Sequence, residues 1–307
     1  MRVFENASFG FIANRRTAYI FSLVVTLLGF ASFFTRGFEM GIDFTGGKEF
    51  VVQTTAPVTV EAARSAINTA IQGSPEVKRY GDDLLVRIGN DAEGSMAEIG
   101  DQITAAVGSG ATIGSSGEIS PRFATDLQRG ALYAVLASVI VIFLYILLRF
   151  EWTAGVGAIV SLLHDVIFTA SVFSLLHGFL PFSLAIDQSI VAAFLTIVGY
   201  SINDTVVVFD RIREDRAKWK NLPIEEVANK AMNETLSRTM ITGGTTILSL
   251  FVVFLFGGEA VRGFAFAMLI GIVLGTYSSV FIATPIMVDV QRWLARRGDK
   301  RYKTQVA

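Results

Sequence analysis

Thr196, Gly199, Tyr200, Asn203 and Asp204 recur at spacings of three and four, so on a helix they share one face. They lie in the stretch Ser183–Glu214, which is apolar for longer than a bilayer crossing needs and then runs into Arg211 and Arg213. A carboxylate inside such a stretch costs about 2.5–3.5 kcal/mol on insertion scales, so it faces protein or water and marks an ion pathway. A later apolar segment carries the opposite charge. Arg238, Thr242, Thr245 and Ser249 fall at i, i+4, i+7 and i+11, a polar stripe about three turns long. Burial opposes a carboxylate's charge and a nearby guanidinium favours it. Movement of Arg238 toward or away from Asp204 therefore describes a group that binds and releases a proton, with both stripes expected to face the inside of a bundle. Each residue also has a plainer reading: Asp204 hydrated near the membrane edge, and Arg238 a topological anchor.

Two further features accompany these. His164-Asp165 stands near the middle of another apolar segment. Neighbours on a helix point about 100° apart, so the pair is not expected to act as one dyad. Asp165 is either a second relay carboxylate or a hydrogen-bonding tie between spans. Gly263, Ala267, Gly271, Gly275 and Ser279 keep strict four-residue spacing, a packing face toward the bundle or a partner.

Other chemistry is disfavoured. The chain has no cysteine and 2 histidines, which excludes disulfides and thiolate metal sites and leaves no expectation of zinc or any cofactor. A net charge of −1 gives no case for nucleic acid. The Gly199–Asn203 segment, GYSIN, is not a G-x-S-x-G elbow, so an intramembrane hydrolase is the weaker reading and no enzyme activity is expected.

The elements that must hold these residues are membrane spans. Of 307 residues 52% are hydrophobic and only 17% charged, with mean hydropathy +0.53. Six apolar runs stand out: Thr17–Phe34, Gly130–Leu148, Trp152–Leu176, Ala185–Phe209, Met240–Phe256 and Gly263–Val288. The first lacks an A-x-A-like exit and is read as an uncleaved span, with Arg15-Arg16 as its anchor. With the N-terminus inside, the inner segments hold 3, 1, 7 and 6 Lys or Arg, 17 together, whereas the two short outer loops hold only Arg262. Both termini are therefore expected in the cytoplasm.

Between the first two spans the pattern is that of a soluble domain. Lys48–Thr55, Glu76–Tyr80, Leu84–Ile88 and Ala111–Ile119 read as strands, and Val60–Ile71 and Ser95–Val107 as helices. That β-α-β-β-α-β order is ferredoxin-like. The expected fold is an α-helical polytopic membrane protein with six transmembrane helices and one small α+β periplasmic domain. Its parts are residues 1–36 (N-terminus and first span), 37–126 (outer domain), 127–290 (spans two to six) and 291–307 (basic tail). Within 210–239, Leu222–Leu236 reads as an amphipathic helix separate from the fifth span, with Asn221 as its cap and Pro223 in its first turn.

Two segments together resemble a known family. Gly41-Ile42-Asp43-Phe44-Thr45-Gly46-Gly47 is similar to the G-x-D-F-x-G-G signature of the SecD and SecF subunits of the bacterial Sec translocase, and Gly199–Glu214 resembles the fourth-span motif of SecF. The resemblance implies membership of the resistance-nodulation-division superfamily and a heterodimer with SecD beside the SecYEG channel and its accessory subunits. It implies an inner-membrane subunit that uses the proton gradient to assist an unfolded preprotein late in translocation. The family's proton-path residues fall here on Asp204, Arg238 and Thr242, with Asn203 adjacent. Gly41, Asp43, Phe44, Gly46 and Gly47 are expected to form a structural turn that helps to transmit movement to the outer domain, and lipids are further expected partners. The alternative is a proton-driven small-molecule exporter of the same superfamily, against which the single small outer domain argues.

Overall fold

The computed structural model describes residues 8–71, 75–90, 92–108, 110–180 and 182–306, without the side chains of 259–260 and 298–306. Arg2 and the side chains of Lys300, Arg301 and Lys303, counted above toward the inner charge, lie outside the described residues. Among the described residues six helices are long and apolar enough to cross a membrane.

Helix α1 spans Arg15–Arg36. The short α2, Ile42–Thr45, leads into the outer domain: β1 Gly47–Gln53, α3 Val60–Ala70, β2 Glu76–Tyr80, β3 Asp83–Ile88, α4 Met96–Val107 and β4 Thr112–Ile119. The sheet order is β2-β3-β1-β4, all antiparallel, the ferredoxin-like arrangement. Each helix starts at a residue suited to it. Thr59 accepts from the Ala62 N–H, and Ser95 and Glu98 form a reciprocal capping box. Alternation puts Phe50, Val52, Leu84 and Val86 on one sheet face, where they bury Ile67, Ile99 and Ile103.

The bundle follows: α5 Pro121–Arg149, α6 Trp152–Leu176, α7 Gln188–Lys218, α8 Ile224–Phe256 and α9 Glu259–Ser278. A π-helical turn, Ser279–Ala283, joins α9 to α10, Thr284–Val306. α7 is central, with α6, α8 and α9 packed around it. The expected amphipathic helix is not a separate element. It is the first part of α8, because nothing between Leu222 and the fifth span breaks the helix: Asn233-Glu234-Thr235-Leu236-Ser237-Arg238 contains neither Gly nor Pro. Its N-cap is Pro223 rather than Asn221, and Val227, Ala228, Ala231 and Met232 are buried against Ile12, Val208, Phe209 and Ile212. The N-terminal segment is fastened to the same region. The Phe9 and Phe11 N–H groups donate to the amide oxygens of Asn233 and Asn229, both at 2.8 Å. The basic tail likewise continues α10 as helix.

Candidate site in the membrane and its link to the outer domain

Asp204 lies on the face of α7 turned toward α8 and is 8% exposed. Thr239 Oγ1 donates to its Oδ1 at 2.8 Å, while Oδ2 is buried without a hydrogen-bond partner. Arg238 is within electrostatic reach, yet no ion pair joins the two among the described residues, and Arg238 itself is exposed. The donor is thus Thr239, and the exposed Thr242 makes no such contact. Thr239 had a readable signal. Ala231, Thr235, Thr239 and Gly243 repeat every four residues and are all buried, the same small-residue spacing that marks α9.

The two polar stripes do not point into this chain's own bundle. Thr196, Gly199 and Asn203 on α7 are exposed, as are Arg238, Thr242, Thr245 and Ser249 on α8. Periodicity told which residues share a face but not what that face meets. Asp204 and the half-buried Tyr200 sit at the inner edge of this surface, and Thr196, Gly199 and Asn203 are open.

Asp165 is fully buried where α6, α7 and α9 meet. Its Oδ2 accepts from Ser201 Oγ of α7 at 2.6 Å and from Ser278 Oγ of α9 at 2.7 Å. Its Oδ1 lies 3.0 Å from His164 Nδ1, so the expectation that adjacent residues cannot pair is wrong here. The Cβ vectors diverge, but the imidazole is long enough to swing its near edge back to the carboxylate. The glycines of α9 pack on α7: a Cβ at Gly271 would meet Ile197 side-chain atoms at 2.3 Å, and one at Gly275 would meet Ser201 Cβ at 3.0 Å. Ala267 is buried in the same seam, and Gly263 lies beside Ile190 and the Ser183 carbonyl.

At the N-terminal end of α7 the Gly41–Gly47 turn joins three parts of the chain. Asp43 Oδ2 accepts the Gln188 N–H at 2.9 Å, capping α7 together with Asp187. The Phe44 carbonyl accepts from Gln128 of α5, and the Phe44 ring is buried with Ile186 and Ile190. Gly41 packs so closely on Asp187 that a Cβ would lie 3.1 Å from its Cβ, and its N–H donates to the Ile186 carbonyl at 2.8 Å. Gly46 at φ +71° and Gly47 at φ +136° turn the chain into β1, conformations that a side chain would strain. Among the described residues no group of three or more His, Asp or Glu side chains is placed to hold a metal ion.

A family model described as "Protein export membrane protein SecD/SecF, C-terminal" matches residues 100–293, and a "SecD/SecF GG Motif" model matches 31–58. A protein translocase subunit SecF of Rhodothermus marinus is 50% identical over 303 residues, covering 97% of this chain and 98% of that one. The chain belongs to the SecF family. A SecF of Haemophilus influenzae is 38% identical, covering 91% of this chain and 85% of its own length. Among solved structures, SecDF of Thermus thermophilus, described as a translocon-associated membrane protein, aligns with a TM-score of 0.83 at 34% identity over 94% of this chain. SecDF in its super-membrane-facing form aligns at 0.70 and 32% identity over 97%. The present chain spans 39% and 40% of those two SecDF chains. Within the SecF frame, the GG-motif segment contains the Asp43 junction, and the C-terminal segment contains Asp165, Asp204 and Thr239.

Proposed function

We propose that this chain is a proton-coupled accessory subunit of the Sec translocase, acting with SecD to assist a preprotein late in its passage. The supporting observation is the connection of two sites by one helix. α7 carries the buried Asp204, with one oxygen unsatisfied, and its first turn is capped by Asp43 of the turn that opens the outer domain. A rearrangement of α7 on protonation of Asp204 is thereby delivered to the outer domain. Arg238 and Thr242 stand on the open face beside Asp204 and act from there.

That open face, Thr196, Gly199 and Asn203 of α7 with Thr242, Thr245 and Ser249 of α8, supports a second helical subunit docking there, and SecD is the partner that the SecDF likeness suggests. The seventeen-to-one Lys/Arg bias supports a reading with both termini in the cytoplasm and the soluble domain in the periplasm, across an inner membrane. The chain carries one small outer domain, which weighs against the exporter reading. The work is conformational rather than covalent, and SecYEG and the unfolded preprotein are the remaining partners.

The test is export into inverted vesicles containing the channel, SecD and either this chain or its Asp204→Asn variant. Transit is followed after ATP is removed, with and without a proton gradient. Loss of only the gradient-dependent part is expected. An equal response of both proteins would move the proton site away from Asp204.

A further inference from the structure

α6 presents Gly157, Ser161, Asp165 and Thr169 at four-residue spacing, and every one of them is buried. A Cβ on Gly157 would lie 2.3 Å from the Ala283 carbonyl oxygen, inside the π turn. One turn on, Ser161 Oγ donates to Ser278 Oγ at 2.9 Å. Another turn on, Asp165 takes both Ser201 and Ser278 on one oxygen. This face of α6 therefore grips α9 where the π turn begins and grips α7 beside it. π turns are rare inside α-helices and recur at functional sites.

Packing alone does not account for a carboxylate here. A small apolar residue would fill the space at far lower desolvation cost, and Asp165, unlike Asp204, has a partner on each carboxylate oxygen. Asp165 has three partners within 3.0 Å, one each from α7, α9 and its own helix. Ser201, which receives this hold, is three residues from Asp204, a rise of about 4.5 Å along α7. Thr205 Oγ1 donates back to the Ser201 carbonyl at 3.1 Å, so the turn carrying Asp204 is tied to the anchored one. On the other side the Ser201–Gly275 approach leaves no slack between α7 and α9.

We infer that Asp165 is the positioning residue of the Asp204 site: by holding Ser201 and Ser278 on one oxygen, it fixes the α7 turn from which Asp204 faces α8. The inference rests on the proposed role of Asp204 as proton carrier. It assigns Asp165 to holding that carrier in register while α6 serves as the fixed element. The titratable and charged groups around the two carboxylates are His164 on α6, Tyr200 on α7, Arg238 on α8 and Tyr277 on α9, the last with its ring 6.1 Å from that of His164.

The test reads proton occupancy of Asp204 without transport. The full chain in membranes is treated across a pH series with a hydrophobic carbodiimide, which modifies protonated carboxyls in apolar sites. Labelling is then quantified separately on the peptides bearing Asp165 and Asp204. Asp165→Ala is expected to move the midpoint of Asp204 labelling by about half a pH unit or more. Asp165→Asn, which keeps an acceptor oxygen for both serines, should restore most of the parent profile. Ser201→Ala, a smaller change that removes one donor and spares both carboxylates, should shift the midpoint in the same sense. A titrating parent profile left unmoved by both Asp165→Ala and Ser201→Ala, even with a lowered melting temperature, would make Asp165 a packing tie and overturn the inference alone. A parent profile with no pH dependence at Asp204 would overturn the proton reading and this inference with it.

Discussion

Asp43 and Gln188 stand 145 residues apart, yet the carboxylate of the first caps the helix that the second begins, at 2.9 Å. Asp187 caps the same turn through the Ile190 N–H, also at 2.9 Å. Two carboxylates at one helix start suit the positive end of its dipole. Of the two carboxylates, Asp43 is the one that belongs to the turn feeding β1, so its cap joins α7 to that turn by a hydrogen bond, beside the packing of Phe44 and Gly41.

Removing that cap should uncouple more than it unfolds. Asp43→Ala loses an N-cap bond worth about 0.5–2 kcal/mol, and the retained Asp187 cap keeps the cost toward the lower end. Gradient-dependent completion of transit is expected to fall several-fold with little change in melting temperature, while Asp43→Asn, which keeps an acceptor, retains most activity. Equal behaviour of Ala and Asn in the vesicle assay would show that the cap carries no motion.

Thr239 is the hydroxyl on which Asp204 depends. Thr239→Val preserves shape and removes the donor, leaving a buried carboxylate with both oxygens unpaired at a cost of about 1–3 kcal/mol. The pH profile of gradient-driven export should therefore move. Thr239→Ser should leave it in place. Thr242→Val, on the exposed face, tests the family-derived assignment in the same assay and is expected to move the profile less.

Much of this was legible in the sequence. The four strands, two helices of the soluble domain and six spans follow from apolar period and turn residues, whereas the caps at Thr59 and Ser95 came from the structure. Asp204 stood out because a carboxylate in an apolar run is expensive. The rest depends on side-chain direction and partner helices, which period alone does not encode. Thr196, Gly199 and Asn203 share a face, but whether it meets a neighbour in this chain or another is a property of packing. The His164–Asp165 contact depends on a rotamer rather than on spacing. The continuity of α8 was obscured because hydropathy changes at Ser237-Arg238 while the backbone does not.

Close approach of α6 to the π turn sets up a conflict between two known effects. Gly→Ala inside a helix ordinarily gains up to about 1 kcal/mol. At Gly157 the added Cβ would sit 2.3 Å from the Ala283 carbonyl oxygen, a backbone atom that cannot rotate away. Overpacking of this kind costs about 1–3 kcal/mol, so the clash should win. Gly157→Ala is expected to lower the melting temperature of the purified protein. Gly244→Ala, with nothing within 4 Å of the new Cβ, should raise it slightly.

In the outer domain, the Ser95 backbone and side-chain hydrogen bonds hold the Glu98 carboxyl below its ordinary range. A depressed folded value means that the capping box stabilises α4 above the unfolded value near 4.5 and loses that contribution as pH falls through the lower folded one. Amide exchange over the first turn of α4, corrected for intrinsic rates, should therefore speed up between pH 5 and pH 3, by about the range ordinary for a carboxylate's titration. Glu98→Gln should flatten that dependence. An unchanged slope in the variant would assign the acid sensitivity to another carboxylate.

The open polar face predicts where a second subunit meets this one. Gly199 has nothing within 4 Å of a built Cβ, and Asn203 is exposed one turn further along α7. Small residues let helix backbones approach closely in a membrane, so a bulky side chain here blocks a partner without disturbing this chain's own packing. Gly199→Leu should therefore leave the stability of the isolated protein within about 0.5 kcal/mol of the parent, the usual range for surface changes, while co-purification with SecD drops sharply. Leu248→Phe, on the exposed outer surface of α8, is the matched control and should leave co-purification intact. Retained SecD with Gly199→Leu would place the subunit contact on another face, with the exposed apolar surface of α5 next to be tested.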